Sequence, residues 1–482
     1  MRFQTMCSSV GKTAWQSALK RLGRRALVGA ALALLALPVA EARAGSLSET
    51  MAQAYVHSGL LDKNRALLRA ADEDVAVALS ALRPIVGWSS SVGYAYSDSA
   101  GVTLSENVTG ALGLAAELTL YDGGARGLQL DVARETVLAT REGLVSVEQQ
   151  VLLSAVDAFF EVRRANEFMR LRQNNMRVIG EALRAARDRF EVGEVTRTDV
   201  SIAEARLAAA RAQLAAAEGD KARALESYLA VTGRKPTGLT APKALKTPAK
   251  TLDAAKALAM VTHPDMKRVQ HQVSASELGV QIAQSAKSMR LKITSGLSVN
   301  ETFGSSTSGH SASLGLEASQ TLYQGGRLSA LERQARAQRD AQRAELHSAG
   351  LQIAQNVGNA WAQLAVARAS SRAGAEQVRA AEIAFRGVRE EATLGARTTL
   401  DVLDAEQELL DARASLVSAR IDEVRAGYFL RATMGLLTAE RLDLDVPRYD
   451  PAAYYELVKT APLKSSKQGR QLDRVLKTLG KQ

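Results

Sequence analysis

Two stretches of the chain alternate apolar and polar residues with the two-residue period of a β-strand. The first covers about residues 85–121 and the second about residues 291–323. Each is interrupted by a connection rich in Ser, Gly and Asn, so each predicts a hairpin of two strands of about 11 to 13 residues. The apolar residues that share one side are Val86, Trp88, Val92, Tyr94 and Tyr96, then Leu112, Leu114, Ala116, Leu118 and Leu120, and in the second stretch Leu314, Leu316, Ala318 and Leu322.

Helical patterns surround both hairpins. One helix is predicted over residues 47–82, ahead of Pro84, and another over residues 251–289. Each hairpin is followed by a run without helix breakers, at residues 125–192 and 327–394, which is about 100 Å long if it is helical throughout. A glycine ends each run, and a second helix of about 35 residues follows it.

The two halves of the chain form a tandem repeat with a constant offset of 202 positions. A constant offset means that the elements have equal lengths in both halves, as expected for rods that reach the same two ends. We therefore divide the chain into a first repeat at residues 45–240, a second at residues 241–445 and a basic tail at residues 446–482. A Tyr-x-Gly-Gly motif predicts each junction from strand to long helix, at Tyr121, Gly123 and Gly124 and at Tyr323, Gly325 and Gly326.

The helix after Gly395 has apolar residues at the alternating spacing of a coiled coil. The pairs are Leu400/Leu403, Gln407/Leu410, Ala414/Val417 and Ile421/Val424, and all of these residues except Gln407 are apolar. The matching positions of the first repeat hold Thr, Ser, Ala and Gly, which are small enough to let another helix approach closely. An ordinary amphipathic surface helix has the same stripe, and that alternative stays open.

Composition and charge limit the classes of protein to which this chain can belong. Only 4% of the residues are aromatic, which favours long packed helices, and the formal net charge is +11. The excess of basic residues lies in residues 1–44 and 459–482, and residues 45–458 carry a net charge of −1. This distribution argues against a nucleic-acid groove.

The N-terminus has the layout of a cleavable secretory signal. Basic residues at positions 20–25 precede an apolar run at residues 26–40, and Ala42-Arg43-Ala44 follows, so we predict a signal peptide at residues 1–44. A membrane anchor is the alternative, but the run is shorter than the roughly 20 residues that a spanning helix needs. Cys7 is the only cysteine and lies inside this segment, so no disulfide, cysteine metal site or lipidated cysteine is expected after cleavage.

The four predicted strands are long enough to cross a bilayer at a tilt. Four strands leave two open edges, which are prohibitive in lipid, whereas one sheet from three identical chains would close with twelve strands and a pore. A soluble sheet covered by the long helices is the alternative.

The order of elements, given twice, resembles the TolC family of outer-membrane export ducts over nearly all of the chain after the signal. The most specific stretches are Phe190-Glu-Val-Gly-Glu-Val-Thr-Arg-Thr-Asp-Val200 and Leu394-Gly-Ala-Arg-Thr-Thr-Leu-Asp-Val-Leu-Asp-Ala-Glu-Gln-Glu-Leu-Leu410. The resemblance implies a mainly α fold, a homotrimer with a transmembrane twelve-stranded β-barrel in outer-membrane lipid, and an α-helical periplasmic tunnel. It also implies no enzymatic activity, and as partners a periplasmic adaptor and an inner-membrane transporter driven by ATP or protons.

Two acidic residues follow the glycine turns, and a third lies one helical turn further on. Thr196 and Asp199, like Thr398 and Asp401, have the spacing of a capping box, so both aspartates are explained as helix caps. Asp404 is not explained in this way, since its counterpart in the first repeat is an isoleucine.

The resemblance adds roles at these tips. It implies that Asp401 and Asp404 form acidic rings at a periplasmic gate, and that Arg397 is the gate arginine with Thr198 and Asp199 as its partners on the neighbouring coil. The predicted adaptor-docking residues are Val192, Gly193, Leu394 and Gly395.

Catalytic, cofactor and metal sites are not predicted. The five histidines show no metal spacing, and the glycine pairs lack the spacing of dinucleotide-binding and phosphate-binding loops. The resemblance implies that the function is that of an outer-membrane exit duct. The absence of a lipidated N-terminal cysteine and the stretches Tyr449–Pro451, Ala461–Pro462 and Gln468–Leu476 look more like the type I protein-secretion branch of the family. Small-molecule efflux and a periplasmic coiled-coil or adaptor protein without a pore are the alternatives.

Overall fold

The computed structural model describes residues 45–99, 102–242, 247–304 and 308–479. The predicted signal peptide at residues 1–44 lies outside this part of the chain. The first repeat contains α1 (Leu47–His57), α2 (Gly59–Ser80), β1 (Ile85–Ser99), β2 (Val102–Tyr121), α3 (Ala125–Glu191) and α4 (Arg197–Thr232). The second repeat and tail contain α5 (Leu252–Thr262), α6 (Pro264–Ser285), β3 (Arg290–Phe303), β4 (Ser308–Ser319), α7 (Arg327–Thr393), α8 (Thr399–Thr433), α9 (Pro451–Val458) and α10 (Lys467–Leu479).

The helical segment ahead of each hairpin is two helices, so the prediction of one continuous helix in each repeat was wrong. Ser58 interrupts the first segment in an extended conformation, and its hydroxyl accepts a hydrogen bond from the Leu61 amide at 3.3 Å. His263 interrupts the second, and Pro264 starts the following helix. A serine cap and a proline at the first helical position both favour a new helix start over continuation.

The four strands form one antiparallel sheet in the order β1-β2-β3-β4, so the two hairpins pair with each other through β2 and β3. The register aligns Trp88 with Leu114, Leu114 with Leu297 and Leu297 with Ala312, which places the apolar residues of all four strands on one face. The opposite face presents mainly Ser, Gly and Thr. The outer edges of β1 and β4 pair with nothing in the described part of the chain.

The strands differ in length from the prediction. β1 and β2 have 15 and 20 residues, because pairing continues to Ser99 and resumes at Val102 where a longer polar loop was expected. β4 has 12 residues and ends at Ser319, short of the predicted limit near residue 323. Tyr121 still pairs with Leu291, whereas Tyr323 lies beyond Ser319, the last paired residue of β4.

The two long helices confirm the sequence prediction to within one residue. Helices α3 and α7 have 67 residues each, about 100 Å. The second helix of each repeat runs back along its long partner, with α4 against α3 and α8 against α7. The main core lies where α1, α3 and α8 meet, around Leu152, Phe159 and Leu437.

The seam of α4 differs from the predicted one. The buried stripe consists of alanines at a spacing of seven, namely Ala203, Ala210, Ala217 and Ala224. The Thr, Ser and Gly positions that answer the α8 seam, such as Thr198, Ser201 and Gly219, are exposed in the single chain. Alanine allows α3 and α4 to approach closely, and the other small residues stay available to a neighbouring helix. In α8, Leu403, Leu410 and Ile421 of the predicted seam are buried.

The C-terminal tail forms two short helices, and α9 packs on α2. The Tyr454 hydroxyl donates a hydrogen bond to the Glu73 carboxylate at 2.7 Å. The Arg83 guanidinium, just before β1, donates to the carbonyls of Thr460 and Ala461 at 2.6 and 2.9 Å. No helix in the described ranges is both long enough and apolar enough to cross a membrane.

Candidate functional site: the helix tips and the sheet

Both tips are built by a glycine turn and a capping box. Gly193 and Gly395 adopt φ values of 80° and 79°, a left-handed conformation that glycine reaches without strain. At the second tip, the Thr398 amide donates to the Asp401 carboxylate at 2.9 Å, and the Asp401 amide donates to the Thr398 hydroxyl at 3.2 Å. Thr196 and Asp199 make the same pair of bonds at the first tip. The capping role predicted for both aspartates is therefore confirmed.

These bonds stabilise the ionised carboxylates. The hydrogen bond from the Thr196 amide holds the pKa of Asp199 below its usual range, and the Thr398 amide does the same for Asp401, with a smaller contribution from Arg397. Asp401 thus keeps its charge while its hydrogen bonds hold the start of α8.

Arg397 binds within its own coil. Its Nε donates to the Glu391 Oε2 atom at 2.8 Å, and this contact raises the pKa of the guanidinium further. Among the described residues, no ion pair or hydrogen bond joins Arg397 to Thr198 or Asp199, so the predicted bond is not made within one chain. Sequence reasoning missed Glu391, whose counterpart in the first repeat is Arg189.

Asp404 is paired rather than free. The Arg206 guanidinium of α4 donates to the Asp404 carboxylate of α8 at 2.8 Å, so this ion pair joins the two repeats close to the tips. Both partners break the repeat, since Asp404 corresponds to Ile202 and Arg206 to Glu408. This double departure was the signal in the sequence that could have identified the pair.

One further acidic residue was missed. Glu406 is 6% exposed, and burial raises the pKa of its carboxyl group, opposed by the nearby guanidinium groups of Arg413, Arg389 and Arg177. Its counterpart Glu204 is exposed and pairs with Arg187. The first turns of α8 at the second tip therefore contain three acidic residues, Asp401, Asp404 and Glu406, of which Asp404 forms an ion pair.

Exposed apolar side chains cover the tips. Leu394 is 86% exposed and Val192 is 72% exposed, and Phe190 lies beside them. Leucine and valine side chains exposed at the end of a rod are available for contact with another protein. Val192 and Leu394 are two of the four residues predicted for docking; Phe190 was not among them.

The two junctions between strand and helix differ. Tyr121 ends β2, Gly123 packs so closely on Ser288 that a Cβ atom would lie 2.5 Å from the Ser288 Cβ, and Gly124 precedes α3 with a φ of 84°. At the second junction Tyr323 is exposed, and Gly325 and Gly326 both have positive φ ahead of α7. Asp122, whose counterpart in the second repeat is Gln324, accepts bonds from the Gly124 amide at 3.1 Å and from the Arg126 amide and Nε at 3.2 and 2.8 Å.

The apolar face of the sheet is exposed over its whole width. Trp88 is 75% exposed, and Leu114, Leu297 and Leu316, one from each of the other strands, are exposed as well. A continuous apolar surface of this size on strands is typical of contact with lipid or protein. Within the ranges that the structure describes, no cluster of His, Cys, Asp and Glu could hold a metal ion.

Comparison with known proteins identifies the family. The sequence profile of the family described as "Outer membrane efflux protein" matches residues 51–234 and 257–436, one match in each repeat. The chain belongs to this family. It is 36% identical over 422 residues to the outer membrane efflux protein BepC of Brucella suis, covering 86% of this chain and 91% of that protein. It is 28% identical to the proteases secretion protein PrtF of Dickeya chrysanthemi, covering 82% and 91% of the two chains.

Solved structures support the same fold. The outer membrane protein VceC of Vibrio cholerae superposes with a TM-score of 0.70 at 19% identity, over 81% of this chain and 96% of that one. CusC superposes with a TM-score of 0.72 at 17% identity, over 81% and 92%.

Family and fold together fix the general function. The protein is a TolC-like outer-membrane channel for efflux or secretion, and it lies in the outer membrane. The family consists of transport ducts, so the chain is not an enzyme.

Proposed function

We propose that three copies of this chain form the exit duct of a type I protein-secretion system. In this proposal residues 45–240 and 241–445 are the two repeats of each protomer, and the three sheets close into one twelve-stranded barrel. The observation that carries it is the sheet with an apolar face and two unpaired edges, because unpaired strand edges in lipid leave backbone groups without hydrogen bonds.

The helices supply the remainder of the duct. The 67-residue helices extend about 100 Å from the sheet, which is enough to reach far into the periplasm. The exposed small residues of α4 fit close contact with a neighbouring protomer. At the far end Val192, Gly193, Leu394 and Gly395 form the docking surface for a periplasmic adaptor, which links the duct to an inner-membrane transporter.

The names of two relatives favour protein as the substrate. PrtF of Dickeya chrysanthemi is a proteases secretion protein, and AprF of Pseudomonas aeruginosa, at 25% identity over 64% of this chain, is an alkaline protease secretion protein. Small-molecule efflux is the second candidate, because BepC, at 36% identity, is named an efflux protein.

Deletion of the gene separates the two candidates. We expect the deletion to remove one or more proteins from the culture medium while the minimum inhibitory concentrations of antibiotics and detergents change less than twofold, and a plasmid copy to restore secretion. An unchanged secreted proteome with a clear increase in drug sensitivity would overturn the secretion proposal and establish efflux.

The proposed duct has a gate at its periplasmic end, formed by charged residues of the helix tips. Asp401 and Asp404 of three protomers converge near the pore axis, where each acidic ring attracts cations. Arg397 holds the closed state through Glu391 in its own coil and, across the interface between protomers, through Thr198 and Asp199. The capping bonds of Asp401 keep its charge in place while the gate opens and closes.

A further inference from the structure

Helix α10 separates apolar from basic residues around its axis. Leu472, Val475 and Leu476 follow at spacings of three and four, which places them on one face, and Val475 and Leu476 are exposed. The exposed basic residues fall on the opposite side and are Lys467, Arg470, Arg474 and Lys477. A helix with an apolar face and a face rich in Lys and Arg is the form that lies in the interface of a membrane.

The structure ties the segment just before α10 to the residues that lead into the sheet. Arg83 lies five residues before Trp88, the first exposed tryptophan of the apolar sheet face, and so within about 17 Å of it along the chain. The same arginine binds the carbonyls of Thr460 and Ala461, and α10 begins six residues after Ala461. Tryptophan is enriched at the boundary between membrane and water, so α10 starts within reach of that boundary.

The connection between Ala461 and α10 is an ordered turn held by hydrogen bonds. The Ser466 amide donates to the Leu463 carbonyl at 2.8 Å, and the Gly469 amide donates to the Ser466 hydroxyl at 3.0 Å. Gly469 packs against this turn so closely that a Cβ atom would lie 2.1 Å from the Leu463 carbonyl oxygen. Leu463, which is itself exposed, extends the apolar surface beyond the helix. The direction of α10 relative to the Arg83 contact is therefore set by packing.

We infer that α10 binds the periplasmic surface of the outer membrane, with its apolar face among the acyl chains and its basic residues on anionic phospholipid headgroups. The inference rests on the sheet lying in that membrane. Charge favours lipid over a second copy of the chain: Lys467–Leu479 carry a net charge of +3, while residues 45–458 together carry only −1. An anionic lipid surface supplies the matching charge, with each basic residue raising the bound population about fivefold.

Depth-dependent quenching of a single fluorophore tests this. The full-length mature trimer with Val475→Cys carries a bimane label and is placed in nanodiscs of phosphatidylcholine with or without phosphatidylglycerol, each containing a lipid with a spin label high on its acyl chain. We expect strong quenching with phosphatidylglycerol and several-fold weaker quenching without it or at high salt. The matched control Arg474→Cys, on the opposite face, is quenched less in both.

Two further variants test whether the basic residues and the turn before α10 are needed for membrane binding. Arg470→Gln with Arg474→Gln and Lys477→Gln should reduce quenching at position 475 even with phosphatidylglycerol, and Gly469→Val should do so by displacing the helix from its turn. Quenching that is absent, or equal in both lipid mixtures, would overturn the inference. Crosslinking of position 475 to another protomer would also overturn it and identify a second copy as the occupant. None of these results bears on secretion or conductance, which test the duct itself.

Discussion

Asp122 holds the first junction between sheet and tunnel. Its carboxylate fixes the turn through Gly124 and Arg126, and the Arg126 guanidinium reaches the carbonyls of Ala81 and Thr119 at 2.8 and 2.7 Å. The second repeat has Leu328 in place of Arg126, and there Gln320 bonds to the Lys287 carbonyl instead. The second repeat therefore has no acidic counterpart to Asp122 because its junction is held by different hydrogen bonds.

We expect Asp122→Ala to destabilise this junction by about 1 to 2 kcal/mol per chain, since it leaves two backbone amides and the Arg126 Nε without their acceptor. Burial raises the pKa of Asp122, but the bonds from Arg126 and Gly124 outweigh it and leave the pKa below its usual value. The stabilisation is thus present above the unfolded pKa and is lost as the pH falls through the folded pKa. The dissociation temperature of the detergent-resistant oligomer at neutral pH should decrease, whereas the exposed Asp131→Ala control should change little.

Asp72 has the opposite pH dependence. It is fully buried in α2, neither carboxylate oxygen has a hydrogen-bond partner in the described chain, and burial raises its pKa to about 6, against the opposing charge of Arg141. A raised pKa means that this stability contribution is complete below about pH 4 and is lost as the pH rises through about 6.

We therefore expect Asp72→Asn to raise the thermal stability at pH 7.5 by roughly 1 to 3 kcal/mol per chain and to leave it almost unchanged at pH 4. Thermal scans of the purified oligomer at both pH values measure the difference. Equal effects at the two pH values would show that the carboxyl group is not the cause.

At the gate, charge removal has opposite effects in two variants. Asp401→Asn with Asp404→Asn should abolish block by trivalent cations in planar bilayers, because it removes the acidic rings while Asn can still cap α8. Arg206→Gln should strengthen the block, since it frees the Asp404 carboxylate from its 2.8 Å partner. If the double variant is blocked as strongly as the parent, the two aspartates act only as a cap and an ion-pair partner.

Local chemistry at the residue scale was readable from the sequence. The capping boxes follow from a Thr and an Asp three residues apart next to a glycine, which is a contact within one turn. For Asp404, the only signal of its partner Arg206 was that both residues depart from the repeat. The Glu391 partner of Arg397 was not readable, because it depends on how the chain turns at the tip.

The helix tips expose apolar side chains at their turns, and we expect these side chains to bind the adaptor. Val192→Glu with Leu394→Glu should weaken adaptor binding at least tenfold and stop secretion, because a charge in an apolar docking contact loses its hydration. Oligomer formation should be unchanged, since both residues lie at the far end from the sheet.

The matched control is Val261→Glu, another highly exposed apolar residue at the end of α5. Surface plasmon resonance with the immobilised adaptor and an assay of the secreted protein measure the effect. Normal adaptor affinity in the double tip variant would contradict docking at these tips.

The lengths of the helices and strands were predicted well where a long uninterrupted pattern defines the element. They were predicted poorly where a single residue determines where the element begins or ends. The 67-residue helices and their glycine ends follow from uninterrupted patterns. The breaks at Ser58 and His263 do not interrupt the apolar pattern. They depend on a single serine cap and on Pro264 at the first helical position, which the longer pattern outweighed in the prediction. The ends of β2 and β4 depend on whether a neighbouring strand is present, which no pattern within one strand records.

The whole molecule has the features of one part of an assembly. The sheet exposes an apolar face and two strand edges, while the helices extend about 100 Å from it with further small residues exposed. A single chain of this form would leave strand edges unpaired in lipid. In the proposed trimer, closure by three copies would pair every edge and give a barrel of twelve strands around a polar inner face of Ser, Gly and Thr.

The number of chains in the purified particle tests this account most directly. Native mass spectrometry of the full-length mature protein, extracted from outer membranes in mild detergent, should give a single species of three chains. Dissociation should require heat, and helix content should fall in the same step, because the folded protomer depends on its partners. A monodisperse monomer with full helix content would contradict the account.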